Sequence, residues 1–235
     1  MNGIIFYTDN RIGEPIRSVV RKHILEAGLP ITSCSLKKPI DFGHNVVVQG
    51  ERSYPTYIHQ IKTALEASSA DYVFFTEHDC LYPKSAFDFT PPRDDVFYYN
   101  ENVWRWQFGS DTAIRHDRML PLSCLCVNRI FALEHYKSRE THIEELGLDK
   151  FRSREPRWAR RWGYEPGTKK KKRGGFSDDD FGTWSSETPV IDIRHKGTFS
   201  QPKVTLDSFK HKPTSWEETP IGNIPGWDLC DLFHL

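Results

Sequence analysis

No excess of charge of either sign is present: 32 lysines and arginines stand against 32 aspartates and glutamates. A whole-molecule field that would draw in nucleic acid or a membrane surface is therefore excluded, and electrostatic recognition must be local. No stretch approaches the roughly 18 consecutive apolar residues of a membrane span. Met1-Asn2-Gly3 runs into a strand-like segment, without the basic and then apolar start of a signal peptide. A cytoplasmic protein with no membrane span is the expectation. The five cysteines (Cys34, Cys80, Cys124, Cys126, Cys230) are odd in number and scattered, which gives no disulfide framework. Cys124 and Cys126 would share one face of a strand over Leu122 to Val127. Without a second Cys/His pair at zinc-site spacing they read as buried thiols, with a metal pair as the alternative. Also missing are a G-x-G-x-x-G after the first strand and a Walker-type Gly-Lys-Ser/Thr, which counts strongly against the dinucleotide-binding and P-loop classes. There is no internal repeat.

What is present is an alternation of strand and helix signals in a chain of 235 residues, 37% hydrophobic and 13% aromatic, enough for the core of one large α/β domain. Gly3 to Thr8 reads as a buried strand, and Asp9 to Gly13 as the turn after it. Glu14-Pro15 opens a helix with Ile16, Val19, Val20 and Ile24 on its apolar side, stopped by Gly28. Pro30 to Leu36 and Asn45 to Gln49 are the next strands. Ser53 caps a helix that starts near Pro55 and ends around Ser69, with Tyr57, Ile58, Ile61 and Leu65 on one face. The strand that follows, within Ala70 to Thr76, stops abruptly at Glu77-His78-Asp79. This β-α-β order predicts a mostly parallel central sheet flanked by helices, with ligands at the carboxyl ends of its strands. Further strands are expected over Asp95 to Tyr99, Asn102 to Phe108, Leu122 to Val127 and Val190 to Ile193. A helix is expected over Arg129 to Tyr136, continued by Thr141 to Leu146, and another beginning within Gly174 to Phe181. From Lys196 to Leu235 the composition predicts an ordered but irregular tail.

Three constellations carry chemistry. Alternation at a strand end aims Glu77 and Asp79 at one point and turns His78 away. Two carboxylates so aimed call for a cation, and hard oxygen ligands suit Mg2+ or Mn2+; the alternative is a solvated pair of loop acids. The run Gly174-Gly175-Phe176-Ser177-Asp178-Asp179-Asp180 places three acids together, where mutual repulsion favours a ligand, a cationic partner or a raised pKa suited to a general base. A solvated helix start that balances the basic run Lys169 to Arg173 is equally open. Ile193-Arg194-His195 ends a short strand with a histidine that is either structural or a metal ligand. Between the first and second of these constellations, Arg152 to Arg173 mixes arginine and lysine with Trp158, Trp162 and Tyr164, a composition that suits phosphate contacts and stacking on bases or sugar rings.

In that order the three features resemble the GT-A fold glycosyltransferases, and within them the beta-1,4-galactosyltransferase branch, with the family-A transferases behind it. The apolar strand ending in Asp-x-Asp is matched by Phe74-Phe75-Thr76-Glu77-His78-Asp79, the Gly-Gly-Glu-Asp-Asp-Asp motif by Gly174 to Asp180, and the Ile-Arg-His segment by Ile193-Arg194-His195. Glu77 replaces an Asp, Ser177 replaces a Glu, and the spacing from the acid run to Ile-Arg-His is shorter. The resemblance implies a single Rossmann-like GT-A domain over residues 1–200, with a nucleotide-sugar half at 1–83, an acceptor half at 84–200, and the tail 201–235 packed on it. It further implies a metal-dependent inverting transfer from a nucleotide diphosphate sugar, a UDP-sugar by preference. Asp79 and His195 would hold Mn2+ or Mg2+, and Glu77 would hold the metal or the ribose. Asp178 would be the general base, and Asp179, Asp180, Trp158 and Trp162 would meet the acceptor. Thr8, Asp9, Arg11 and Arg52 stand where such enzymes grip the nucleotide. The acceptor would be a saccharide or other small hydroxylated molecule, or a modified base in nucleic acid. A metal-dependent hydrolase of phosphate esters or sugars, and a noncatalytic nucleotide- or sugar-binding module, are the competing classes.

Overall fold

The computed structural model describes residues 1–117, 119–147, 181–198 and 203–234. β1 (Asn2–Thr8) is apolar and buried, and it alternates its side chains between two cores: Ile4 and Phe6 face one, Ile5 and Tyr7 the other. α1 (Ile16–Leu25) buries Ile16, Val20 and Ile24, a one-face spacing of four, against the first of these cores. β2 (Ile31–Leu36) and β3 (His44–Val48) follow. α2 (Tyr54–Ala67) starts where the sequence predicts, with the Thr56 amide donating to Ser53 Oγ at 3.3 Å and Pro55 in the first turn. Its Ile58, Ile61 and Leu65 bury against the second core.

β4 (Tyr72–Glu77) is followed, after two turn residues, by β5 (Cys80–Leu81). Then come β6 (Phe97–Asn100), β7 (Val103–Gln107), β8 (Thr112–His116), β9 (Leu125–Asn128) and the continuous helix α3 (Arg129–Glu145). β10 (Phe181–Trp184), β11 (Val190–Arg194), β12 (Trp216–Pro220) and α4 (Leu229–Phe233) complete the described elements.

A seven-stranded sheet has the order β10-β6-β9-β4-β1-β2-β3. β4, β1, β2 and β3 are mutually parallel, β10 is parallel to β6, and β9 runs against both of its neighbours. The protein is thus an α/β domain with a mostly parallel, Rossmann-like central sheet. α2 and α3 cover one face. α1 covers part of the other, which a second sheet of order β12-β8-β7-β11-β5 completes through Trp104, Trp106, Ile191 and Ile193.

Several expectations differ from this structure. Leu122 to Val127 is not one strand: after Pro121 the residues Leu122–Cys124 form a 3-10 turn and only then does β9 begin. Cys124 and Cys126 are both buried in one core, and burial pushes both thiols up, so they behave as small hydrophobes. Thr112–His116 was not anticipated, because only Ala113 and Ile114 are buried and adjacent apolar residues do not alternate. Its signal is the turn at Gly109, whose φ of +84° suits glycine and returns β8 antiparallel to β7. Phe181–Trp184 is a strand where a helix was expected to run; residues 174–180, where that helix would begin, lie outside the described residues. The C-terminal tail is less irregular than its composition implies. β12 pairs along β8, and α4 sets Phe233 against Trp106 and Phe108 at ring separations of 5.3 and 5.7 Å.

That packing makes the tail part of the core. Phe233→Ala is expected to lower the unfolding free energy of the whole chain by about 3 kcal/mol, read by urea denaturation. A change within about 0.5 kcal/mol, the range of surface substitutions, would mean that the tail is not docked.

Candidate metal and ligand site at the carboxyl edge of the large sheet

β1 and β4 lie side by side with Tyr7 opposite Glu77, so the loops after both strands open on the same edge. A cavity of about 360 Å³ sits there, lined among others by Tyr7, Thr8, Asp9, Arg52, Tyr57, Glu77, His78, Asp79 and Arg194. This is where an open parallel sheet places its ligands.

Glu77, the last residue of β4, is held from two sides. Its Oε1 accepts from the Tyr7 hydroxyl at 3.0 Å and the Tyr57 hydroxyl at 3.3 Å. Its amide donates at 2.9 Å to the Tyr82 hydroxyl, which donates in turn to the Ser123 carbonyl at 3.0 Å. Burial, and then the nearby charge of Asp79, push the Glu77 carboxyl up to about 8.

The chain then leaves the large sheet. His78 and Asp79 form a turn, and Cys80 and Leu81 pair antiparallel with Asp192 and Ile191 of the second sheet. The Ile193 amide donates to the Asp79 carbonyl at 2.8 Å. This crossing sets the residues after β11 beside the turn, so that His195 Nε2 stands 3.5 Å from Asp79 Oδ2. Burial works to raise the Asp79 pKa, but the facing imidazoles of His195 and His78 and the Arg194 guanidinium together hold it below the usual carboxylate range.

The expectation that His78 faces away is corrected. Alternation holds only while the chain is extended, and the strand stops at Glu77. In the turn, one imidazole nitrogen of His78, one of His195 and a carboxylate oxygen of Asp79 all lie within 4.8 Å of one another. Among the described residues, His78 Nδ1 and His195 Nε2 are both buried without a hydrogen-bond partner. A buried polar atom left so costs about 1–3 kcal/mol, and two imidazoles clustered with one carboxylate fit a bound cation. Glu77, Asp79 and Cys80 form a second group of the same compactness. Burial and the neighbouring acids push the Cys80 thiol well up, which disfavours the thiolate that metals bind. The group with two imidazoles is the better fit.

Of the residues expected at a nucleotide, Thr8, Asp9 and Arg52 line the cavity. Arg52 is engaged: its Nε donates to Asp9 Oδ2 at 2.5 Å and its Nη2 to the Gly197 carbonyl at 2.8 Å. Arg11 is exposed and is not among the lining residues; its contribution is an amide that donates to Asp9 Oδ1 at 3.0 Å. Asp178, Asp179, Asp180, Trp158 and Trp162 lie outside the described residues.

Sequence reading missed Arg194, Asp192 and Arg105 as a set. Asp192 is buried and accepts from Arg105 Nε at 2.9 Å and Arg194 Nη2 at 2.6 Å, which holds the Arg194 side chain at the cavity wall. Burial tends to lower the Arg194 pKa, but Asp192 outweighs it and the net shift is upward. The signal was available: in Ile191-Asp192-Ile193-Arg194 the two polar residues share one strand face. Tyr57 was read only as core, although its hydroxyl reaches Glu77.

No family model matches the sequence, and no curated protein sequence matches it either. Among solved structures, the chain is similar to an apo-form glycosyltransferase, GlyE of Streptococcus pneumoniae TIGR4, with 9% identity and a TM-score of 0.39 over 61% of this chain. The match covers 38% of GlyE, so the chain aligns with well under half of that protein. It is also similar to a glycosyltransferase involved in glycosylation of the major capsid of PBCV-1, with 10% identity, a TM-score of 0.45, and coverage of 84% of this chain and 93% of that one. The inositol-1-phosphate CTP transferase of T. maritima matches at 9% identity and a TM-score of 0.36, over 83% and 84% of the two chains. Scores below 0.5 leave the activity to be argued from the site itself. Among the described residues no helix is long and apolar enough to cross a membrane.

The Arg52 bridge offers a direct check on how the cavity is built. Arg52→Ala removes the cation shared by Asp9 and the Gly197 carbonyl and is expected to lower stability by about 1–3 kcal/mol. Hydrogen exchange should rise in the loops after β1 and β11 together. Faster exchange in only one of them would contradict the bridge.

Proposed function

We propose that the protein is a metal-dependent, inverting glycosyltransferase of GT-A architecture that takes its sugar from a nucleotide diphosphate donor, a UDP-sugar by preference. One observation carries this reading: His195 is brought beside Asp79, with imidazole nitrogens that have no hydrogen-bond partner among the described residues, where Asp79 lines a cavity on the carboxyl edge of a parallel sheet. Asp79 and His195 would hold Mn2+ or Mg2+. When bound, the ion supplies Lewis-acid neutralisation of the departing diphosphate.

The chain's own residues divide the remaining work. Arg194, presented by Asp192, adds a fixed positive charge at the cavity wall. Thr8, Asp9 and Arg52 border the space for the nucleoside and its phosphates. Glu77, held by two tyrosine hydroxyls, faces the ribose or the ion. Asp178 is assigned as the base that takes the acceptor proton, so that the hydroxyl attacks the anomeric carbon in line and inverts it. Asp179 and Asp180, with Trp158 and Trp162, are assigned to the acceptor. A saccharide or small hydroxylated acceptor is favoured by composition, and a hydroxyl on a modified base in DNA is the alternative acceptor.

A second reading has a specific observation behind it. Two imidazoles and a carboxylate also suit a hydrolytic metal centre, so a metal-dependent hydrolase of phosphate esters or sugars is the rival. Thermal shift separates the two. A UDP-sugar at a hundredfold excess over its Kd is expected to add about 2.7 kcal/mol of stability, only when Mn2+ is present. Asp79→Ala should abolish that shift, whereas Asp178→Asn should keep it and lose transfer, followed by mass spectrometry over an acceptor panel that includes DNA. No nucleotide effect sinks the transferase; water as the sole acceptor favours the hydrolase; undiminished transfer by Asp178→Asn removes the base assignment.

A further inference from the structure

We propose that His78 is a third ligand of the cation held by Asp79 and His195, and that this second imidazole makes the site select Mn2+ over Mg2+. The inference rests on the cation reading of the site given above and adds to it the residue that sets metal preference.

Geometry comes first. Ligands at adjacent positions around an ion with bonds of about 2.1 Å lie about 3 Å apart. The 3.5 Å between Asp79 Oδ2 and His195 Nε2 is close to that, and one nitrogen of His78 lies within 4.8 Å of a carboxylate oxygen of Asp79 and of a ring nitrogen of His195. Side-chain rotation covers the difference, because His78 sits in a turn anchored on both sides by sheet pairing, at Glu77 in β4 and at Cys80 in β5. The two rings already meet edge to face at 6.3 Å between centroids.

Among the described residues no other partner in hydrogen-bond range accounts for His78. Its Nδ1 is buried and makes no hydrogen bond. Asp9 Oδ1, at 3.9 Å, is too far for one. Asp9 is moreover taken up by the Arg52 guanidinium and the Arg11 amide. At His195 the ring orientation carries a condition. Nδ1 here accepts from the Gly197 amide at 3.1 Å, which in a neutral ring leaves the proton on Nε2. Ligation through Nε2 moves that proton to Nδ1, so the amide contact with Gly197 gives way when the ion binds.

The chemistry then separates the ions. Mg2+ favours oxygen donors and keeps its waters, whereas imidazole nitrogen stabilises ions further along the first transition row. With Asp79 and His195 alone, the donor set is evenly split between oxygen and nitrogen. His78 tips it towards nitrogen.

The test reads binding, not turnover. Mn2+ is titrated into the full chain, alone and with uridine diphosphate, by following the free-ion paramagnetic resonance signal, and Mg2+ is measured by competition. Wild type is expected to hold Mn2+ at least about tenfold more tightly than Mg2+. His78→Ala should weaken Mn2+ by at least about tenfold, since even outer-shell losses reach that size, and should leave Mg2+ within about threefold. Electron-spin-echo modulation of bound Mn2+ should count two coupled imidazole nitrogens in wild type and one in the variant. His78→Gln gives the same comparison with a side chain closer in size, and the wild-type nitrogen count decides the matter even if both variants misfold. One coupled nitrogen in wild type, or an unchanged Mn2+ Kd in a folded variant, overturns the assignment of His78 and leaves the glycosyltransferase reading standing. Failure of wild type to bind Mn2+ with or without uridine diphosphate overturns both.

Discussion

The backbone bond from the Ile193 amide to the Asp79 carbonyl is the constraint on which the site depends. Without it, β4 would deliver its acids to one edge of the large sheet and β11 would end His195 elsewhere in the second sheet. With it, a two-residue turn becomes the seam between sheets, and groups more than a hundred positions apart in sequence face one another across a few ångströms. The pairing of Cys80 with Asp192 and Leu81 with Ile191 makes the seam rigid by ordinary ladder bonding. It also buries Asp192, whose charge is then met by Arg105 and Arg194.

Much of the large sheet was legible because each element obeyed its own local rule. β1 and β4 announced themselves as short apolar runs, and α2 by a serine cap followed by Pro55 and a one-face spacing. The second sheet was legible only in part: β7 and β11 were expected as strands, but β5, β8 and β12 were not. β5 has only two residues, and β12 is largely exposed; neither leaves a periodic mark, and both exist because a partner strand offers its edge. Leu122 to Val127 was misread for a related reason. Apolar character alone does not distinguish a strand from a 3-10 turn, and Pro121 was the cue that went unused.

The site divides in the same way. Glu77, Asp79 and His195 could be picked out because a charged group at the end of an apolar strand is conspicuous; Glu77 and Asp79 line the cavity, and His195 stands beside Asp79 behind its lining. His78 was set aside by an alternation rule applied one residue beyond the end of the strand. Arg11 was placed by position alone and stays in solvent. What no local rule conveys is that the turn after Glu77 changes sheets, since that follows from pairing with residues far along the chain.

Arg52 joins the loop after β1 to the loop after β11 through a single guanidinium. Because it stands at the cavity, an incoming anion and the Gly197 carbonyl compete for the same hydrogens. An anion bound there would thus meet the same cation that ties the segment carrying His195 to the first strand's loop.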